Sequence, residues 1–141
     1  MKTIVALFLA VLMSFSTLQP ETSQNEMFVT VTTGDAETQM MAMVLATQSL
    51  NQGVGVRILL CSDGGDLALK DSESPSFMPP ERSPKQLLTG LIERGVRVDV
   101  CGIYLPNRTV GEDDLMEGIG VAAPPEVAEY MRGENVRFFT Y

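Results

Sequence analysis

Cys61 and Cys101 are the side chains of this sequence best suited to covalent chemistry. Each closes a strand-like run, the mostly apolar residues 54–61 (VGVRILLC) and the strictly alternating residues 96–101 (VRVDVC), and each is followed by turn residues. A thiolate in such a place attacks sulfur without a metal or a general base. The two cysteines are not equivalent. Cys61 follows Ile58, Leu59 and Leu60 and reads as a small buried hydrophobe. Cys101 is followed by Gly102, which leaves room beside the sulfur, and it alternates onto the face of Arg97 and Asp99. Arg108, just downstream, can help to stabilise a thiolate there.

Other chemistry is excluded by composition. The chain has no histidine, which removes Ser–His and Cys–His dyads, histidine general bases and histidine-ligated metals. Two cysteines are too few for a thiolate zinc site, so no metal is expected. The net charge of −8 argues against nucleic acid as a partner, because phosphate binding needs a cationic patch. At 141 residues, 45% hydrophobic and 20% charged, the chain is one globular domain's worth.

The elements that must position the cysteines follow from periodicity and turn residues. Residues 27–33 (MFVTVTT) read as a strand ending at Gly34. Residues 36–51 read as a helix capped by Asp35, with Met40, Met43, Val44 and Thr47 on one face. The second strand is the run at 54–61, apolar except for Arg57, as suits a strand buried on both faces. Residues 62–70 start as a turn, and 71–82, with three prolines and three serines, read as a loop. Ser83-Pro84 fits a cap with proline at the first helical position, leading a helix that Gly95 ends. A strand at 96–101, a short helix at 113–117, a short strand at 118–122, a helix at 124–131 and a strand at 135–140 complete the order.

Alternating strands and helices imply a parallel sheet built from right-handed crossovers. The expected fold is a three-layer α/β flavodoxin-like domain with a five-stranded parallel sheet in the order 2-1-3-4-5. Ligands of such sheets bind beyond the carboxyl ends of the strands, where both cysteines lie. In that order strand one separates them by two strand spacings, about 9–10 Å. A disulfide needs less than about 7 Å between Cα atoms, so two free thiols are expected, or a bond that needs backbone movement.

Other motifs carry less. Thr32-Thr33-Gly34-Asp35 resembles a flavin phosphate loop, but Val31 and Ala36 stand where hydroxyls are needed and Asp35 would repel phosphate. No cofactor is expected. Ser62-Asp63-Gly64-Gly65-Asp66 does not fit a calcium loop and reads as a solvated turn. Met40, Met41 and Met43 read as helix core rather than copper ligands.

Residues 1–18 read as a signal peptide: Lys2, then an apolar run at 4–15, then small residues at Ser14 and Ser16. Twelve apolar residues are too few to span a bilayer, which needs roughly 20. The expected product is exported, to a bacterial periplasm, with no membrane segment after cleavage. Residues 19–26 read as a disordered lead, and 27–141 as the folded domain.

The stretch from Gly95 to Arg108 (GVRVDVCGIYLPNR) resembles the cysteine strand-and-turn of the DsrE/DsrF-like sulfur-relay family. Thr33-Gly34, the Leu60-Cys61-Ser62-Asp63-Gly64 turn, Leu115-Met116-Glu117-Gly118-Ile119 and the closing strand at 136–140 extend the similarity over nearly all of 27–141. The resemblance implies a flavodoxin-like fold, a homo-oligomer (trimer or hexamer), and a cysteine that accepts sulfur as a persulfide and passes it to a partner thiol. That cysteine maps onto Cys101, with Cys61 a secondary thiol outside the family pattern. Gly34, Asp63, Gly102, Tyr104 and Arg108, in the turns around it, are the candidate substrate contacts. Export is a departure, because sulfur-relay members are cytoplasmic, and it leaves the donor or acceptor protein open. Two readings stand: a sulfur-handling protein acting through Cys101, or a non-catalytic oligomeric binding module whose cysteine is incidental.

Overall fold

A computed structural model describes residues 25–79 and 81–141. The expected signal peptide lies outside the described residues. Strands β1 (Glu26–Val31), β2 (Gly55–Leu60), β3 (Arg97–Cys101), β4 (Ile119–Ala122) and β5 (Val136–Thr140) form one five-stranded sheet whose pairings are all parallel. Helices α1 (Ala36–Asn51) and α2 (Pro84–Glu93) pack together on one face. The short helix α3 (Pro124–Tyr130) packs on the other. The three-layer α/β architecture is the expected one.

The strand order is 4-3-2-1-5, not 2-1-3-4-5. Right-handed crossovers that step in one direction keep their helices on one face; a reversal moves the next helix to the opposite face. The chain steps outward from β1 through β4 and reverses only once, through α3, which returns it to the far side of β1. The expected order places the reversal after β2 instead. Its position depends on which faces pair, which local pattern does not reveal. One signal did point to it: the near-continuous apolar run of β2 suits an interior strand, and β2 lies between β1 and β3.

The main core lies between the sheet and α1/α2, where Val29, Val31, Met43, Ile58, Leu60, Leu88, Leu91, Val98 and Val100 are essentially inaccessible. In α1 the buried stripe is Gln39, Met40, Ala42, Met43 and Ala46. Met41, expected in the core, faces solvent at 55% exposure, because the stripe turns with the helix away from it. Asp35 caps α1 by accepting from the Thr38 amide at 2.8 Å. Ser83 and Gln86 cap α2 reciprocally, at 3.2 Å and 2.9 Å, with Pro84 in the first turn. Ser83→Ala is expected to cost about 1 kcal/mol, read as a lower urea midpoint with an unchanged slope.

The loop at 71–82 is held to its surroundings by Lys85, whose ammonium donates to the Lys70 and Ser72 carbonyls, and by a Phe77–Arg82 backbone bridge. Its tip lies beside Met40, Met41 and Val44 of α1, away from the cysteine rim.

Candidate functional site

The two cysteines stand side by side. β2 and β3 are direct neighbours, and Leu60 is in register with Val100. Cys61 and Cys101 are each the next residue. The expected separation of about 9–10 Å is therefore corrected to one strand spacing, about 4.8 Å. Both thiols are free and half-buried. The Cys61 thiol is pushed up to about 12, first by burial and then by the nearby Cys101. Cys61 thus holds its proton at neutral pH.

A cavity of about 430 Å³ opens over the pair, walled by Ser62, Ile103, Tyr104, Asn107 and Arg108. Local sequence builds it. β2 ends at Leu60, the Cys61 amide donates to the Val31 carbonyl at 2.8 Å, and the backbone then turns through Ser62 at φ +51° into a 3₁₀ segment, Ser62–Ala68. On the other side the Tyr104 amide donates to the Cys101 carbonyl at 2.8 Å, closing a tight turn after β3. A second 3₁₀ turn, Leu105–Asn107, then carries the chain to Arg108.

Tyr104 is the buried wall of the cavity. Its ring lies against Gly65, where an added Cβ would come within 2.3 Å of ring carbon, so only glycine fits. Its hydroxyl donates to the Asp66 carboxylate. Burial, and then that bond, push its ionisation up to about 12, so it stays a neutral donor. The Arg108 guanidinium sits 5.4 Å from the centre of the Tyr104 ring. It donates to Asp63 at 3.0 Å and lies 4.0 Å from Asp66. Arg108 is therefore held by two carboxylates and a ring face, at the cavity it shares with Cys101.

Of the sequence-predicted positions, Cys61, Cys101, Tyr104 and Arg108 line one cavity, and Asp63 stands at its mouth through Arg108. Gly34 lies beside Asp63, with an added Cβ 3.3 Å from the Asp63 Cβ, in the neighbouring turn. The role of Gly102 is packing: an added Cβ would lie 2.6 Å from the Ala122 carbonyl oxygen of β4. Sequence reasoning missed Ser62, Ile103 and Asn107 as walls and Asp66 as the partner of Tyr104. The Ser62-Asp63-Gly64-Gly65-Asp66 turn pointed to this region, but the pairing of Asp66 with a residue 38 positions away did not show in it.

Arg97 and Asp99, placed by alternation on the face of Cys101, belong to a second polar feature. Asp99 accepts from buried Arg57 at 3.1 Å and from Arg97 at 2.8 Å. Arg97 also pairs with Glu126 of α3, and this bond is the main reason the Glu126 carboxyl lies below its usual range. Arg57 stacks 4.7 Å from the Tyr130 ring centre. This network fastens α3 to the sheet and does not line the cysteine cavity.

Among the described residues, no three His, Cys, Asp or Glu side chains are grouped to hold a metal ion, and no helix is long and apolar enough to cross a membrane.

No family model matches the chain. Three archaeal proteins are similar in sequence. Uncharacterized protein MJ0989 of Methanocaldococcus jannaschii is 32% identical over 99 residues, 70% of this chain and 83% of that protein. Uncharacterized protein MK0008 of Methanopyrus kandleri is 31% identical over 99 residues, 70% of this chain and 78% of that protein. Uncharacterized protein MJ0760 of M. jannaschii is 30% identical over 118 residues, and the chain spans only 43% of its length. Among solved structures, the ychN protein from E. coli superposes with a TM-score of 0.67 at 20% identity, covering 82% of this chain and 99% of that one. MTH1491 from Methanobacterium thermoautotrophicum, a protein of unknown function, superposes with a TM-score of 0.61 at 19% identity and the same coverage. The flavodoxin-like α/β fold is shared with both.

Proposed function

We infer the function from the site itself, starting from the premise that this chain belongs to the family of the archaeal proteins MJ0989 and MK0008, whose names carry no activity. The reading is that Cys101 accepts sulfane sulfur as a persulfide and passes it to a partner thiol, as the resemblance to DsrE/DsrF-like sulfur-relay proteins implies. The observation that carries it is the half-buried Cys101 at a strand end, opening into a cavity with Arg108 at its mouth. The chemistry needs only an accessible thiolate and a sulfane donor. Cys101 Sγ attacks the outer sulfur of the donor and expels the donor thiolate. A partner thiolate then attacks the outer sulfur and expels Cys101. Cys61 keeps its proton and can hydrogen-bond the Cys101 thiolate, which leaves the nucleophile's part to Cys101.

The test is to load the reduced protein with glutathione persulfide and map the added sulfur by peptide mass spectrometry. Sulfur on the peptide holding Cys101 is expected; an unmodified Cys101 beside an intact donor overturns the reading. Export to a periplasm, where the cytoplasmic carrier would be absent and another thiol would take the sulfur, is part of this proposal.

Self-association is the companion reading, and a specific surface favours it. β5 is an edge strand with Phe138 and Phe139 exposed at 48% and 42%. Exposed aromatics on a strand at the edge of the described sheet favour pairing there. Phe138→Asp is expected to convert a sedimenting oligomer to monomer while sulfur uptake persists. An unchanged sedimentation coefficient would place the contact elsewhere, and a monomeric unaltered chain would remove it.

A further inference from the structure

We propose that Cys61 is a resolving thiol, which discharges a persulfide on Cys101, releasing hydrosulfide and leaving a Cys61–Cys101 disulfide. This rests on the sulfur-acceptor reading above and assigns a second product to the same site.

Three observations carry it. Cys61 and Cys101 follow the paired residues Leu60 and Val100 on adjacent parallel strands. One strand spacing, about 4.8 Å, falls within the Cα separation of disulfides, about 4.4–6.8 Å. The two thiols open into the same cavity, so a sulfur added to Cys101 stays within reach of its neighbour. Cys61 also lies just beyond the last residue of β2, where the backbone turns off through Ser62, so its side chain is not locked between two further strand residues.

The step balances without another reactant. Cys61 loses its proton to solvent and its sulfur attacks Sγ of the Cys101 persulfide. The Cys61–Cys101 bond forms as the bond from Sγ to the outer sulfur breaks. The outer sulfur leaves with the electron pair as hydrosulfide. It is reduced by two electrons, and the two cysteine sulfurs together are oxidised by two.

Because Cys61 holds its proton strongly, this discharge is slower than transfer to a ready partner thiolate. The persulfide therefore persists long enough to be passed on, and Cys61 clears sulfur that no acceptor collects.

The experiment uses the reduced full-length chain, loaded anaerobically with glutathione persulfide, desalted and followed by intact mass with a parallel hydrosulfide assay. Wild type is expected to gain one sulfur, then lose it, ending two hydrogens lighter than at the start with one hydrosulfide released per chain. Cys61→Ser is expected to keep the added sulfur and release none. Cys61→Ala, which adds no hydroxyl to a half-buried position, should behave like Cys61→Ser. A wild-type persulfide as long-lived as that of Cys61→Ser, with no hydrosulfide, would overturn the resolving role and leave the acceptor reading standing. Absence of added sulfur on both Cys61 variants would overturn the acceptor reading, and the resolving role with it.

Discussion

Cys101→Ser is expected to lower sulfur uptake from glutathione persulfide about a thousandfold or more, while Cys61→Ser stays within about tenfold of wild type. The asymmetry follows from the proton. A serine hydroxyl at position 101 is almost never ionised at neutral pH and is a poor nucleophile toward sulfur. Cys61 cannot substitute, because burial and its neighbour push its thiol up to about 12. Removing Cys101 relieves the second of those causes but not the first, which is the larger. The measurement is the initial rate of sulfur incorporation by intact mass, beside the rate of iodoacetamide alkylation. Uptake that survives in Cys101→Ser and is lost in Cys61→Ser would assign the acceptor to Cys61 instead.

Asp99→Ala is expected to destabilise the fold by about 3 kcal/mol, lowering Tm by about 10–20 °C. Asp99 is 4% exposed and Arg57 is 6% exposed, and the carboxylate sits 3.1 Å from the Arg57 guanidinium. Its removal strands a buried cation whose nearest remaining anion is Glu126, at 3.6 Å and half-exposed. Breaking one partner of a buried pair costs more than replacing both. The double variant Arg57→Met/Asp99→Leu should therefore recover most of the loss. Thermal unfolding of the three proteins checks this. A single variant as stable as wild type would mean that solvent reaches Arg57 and the network does not fasten α3. Since the network is remote from the cysteine cavity, sulfur uptake below the melting range should not change.

Much of the fold is legible in the residues. Period-two and period-3.6 patterns, Gly53 and Gly95 after their helices, Asp35 and Ser83 as caps and Pro84 at a helix start are local features, decided within a few residues of chain. They settle the succession of strands and helices and hence the parallel sheet. The absence of histidine settles which chemistries are closed to the chain, because no folding can supply a missing side chain. The placement of both cysteines at strand ends puts them on one rim under any parallel order.

What tertiary structure alone decided is neighbourhood. Whether β3 lies against β1 or β2 depends on where the crossovers reverse, and that is set by how whole faces pack rather than by any local pattern. That one choice turns two separated thiols into neighbours at the ends of adjacent strands. It also brings Arg57 of β2 against Asp99 of β3, which alternation alone placed on the face of Cys101. In the same way the pairing of Tyr104 with Asp66 and of Arg108 with Asp63 spans 38 and 45 residues and appears only when two strand ends meet. The sequence by itself determined which residue types could act and on which rim. The packing of β2 against β3 decided which of them act together, because contact between distant residues is a property of the closed sheet and not of the chain that forms it.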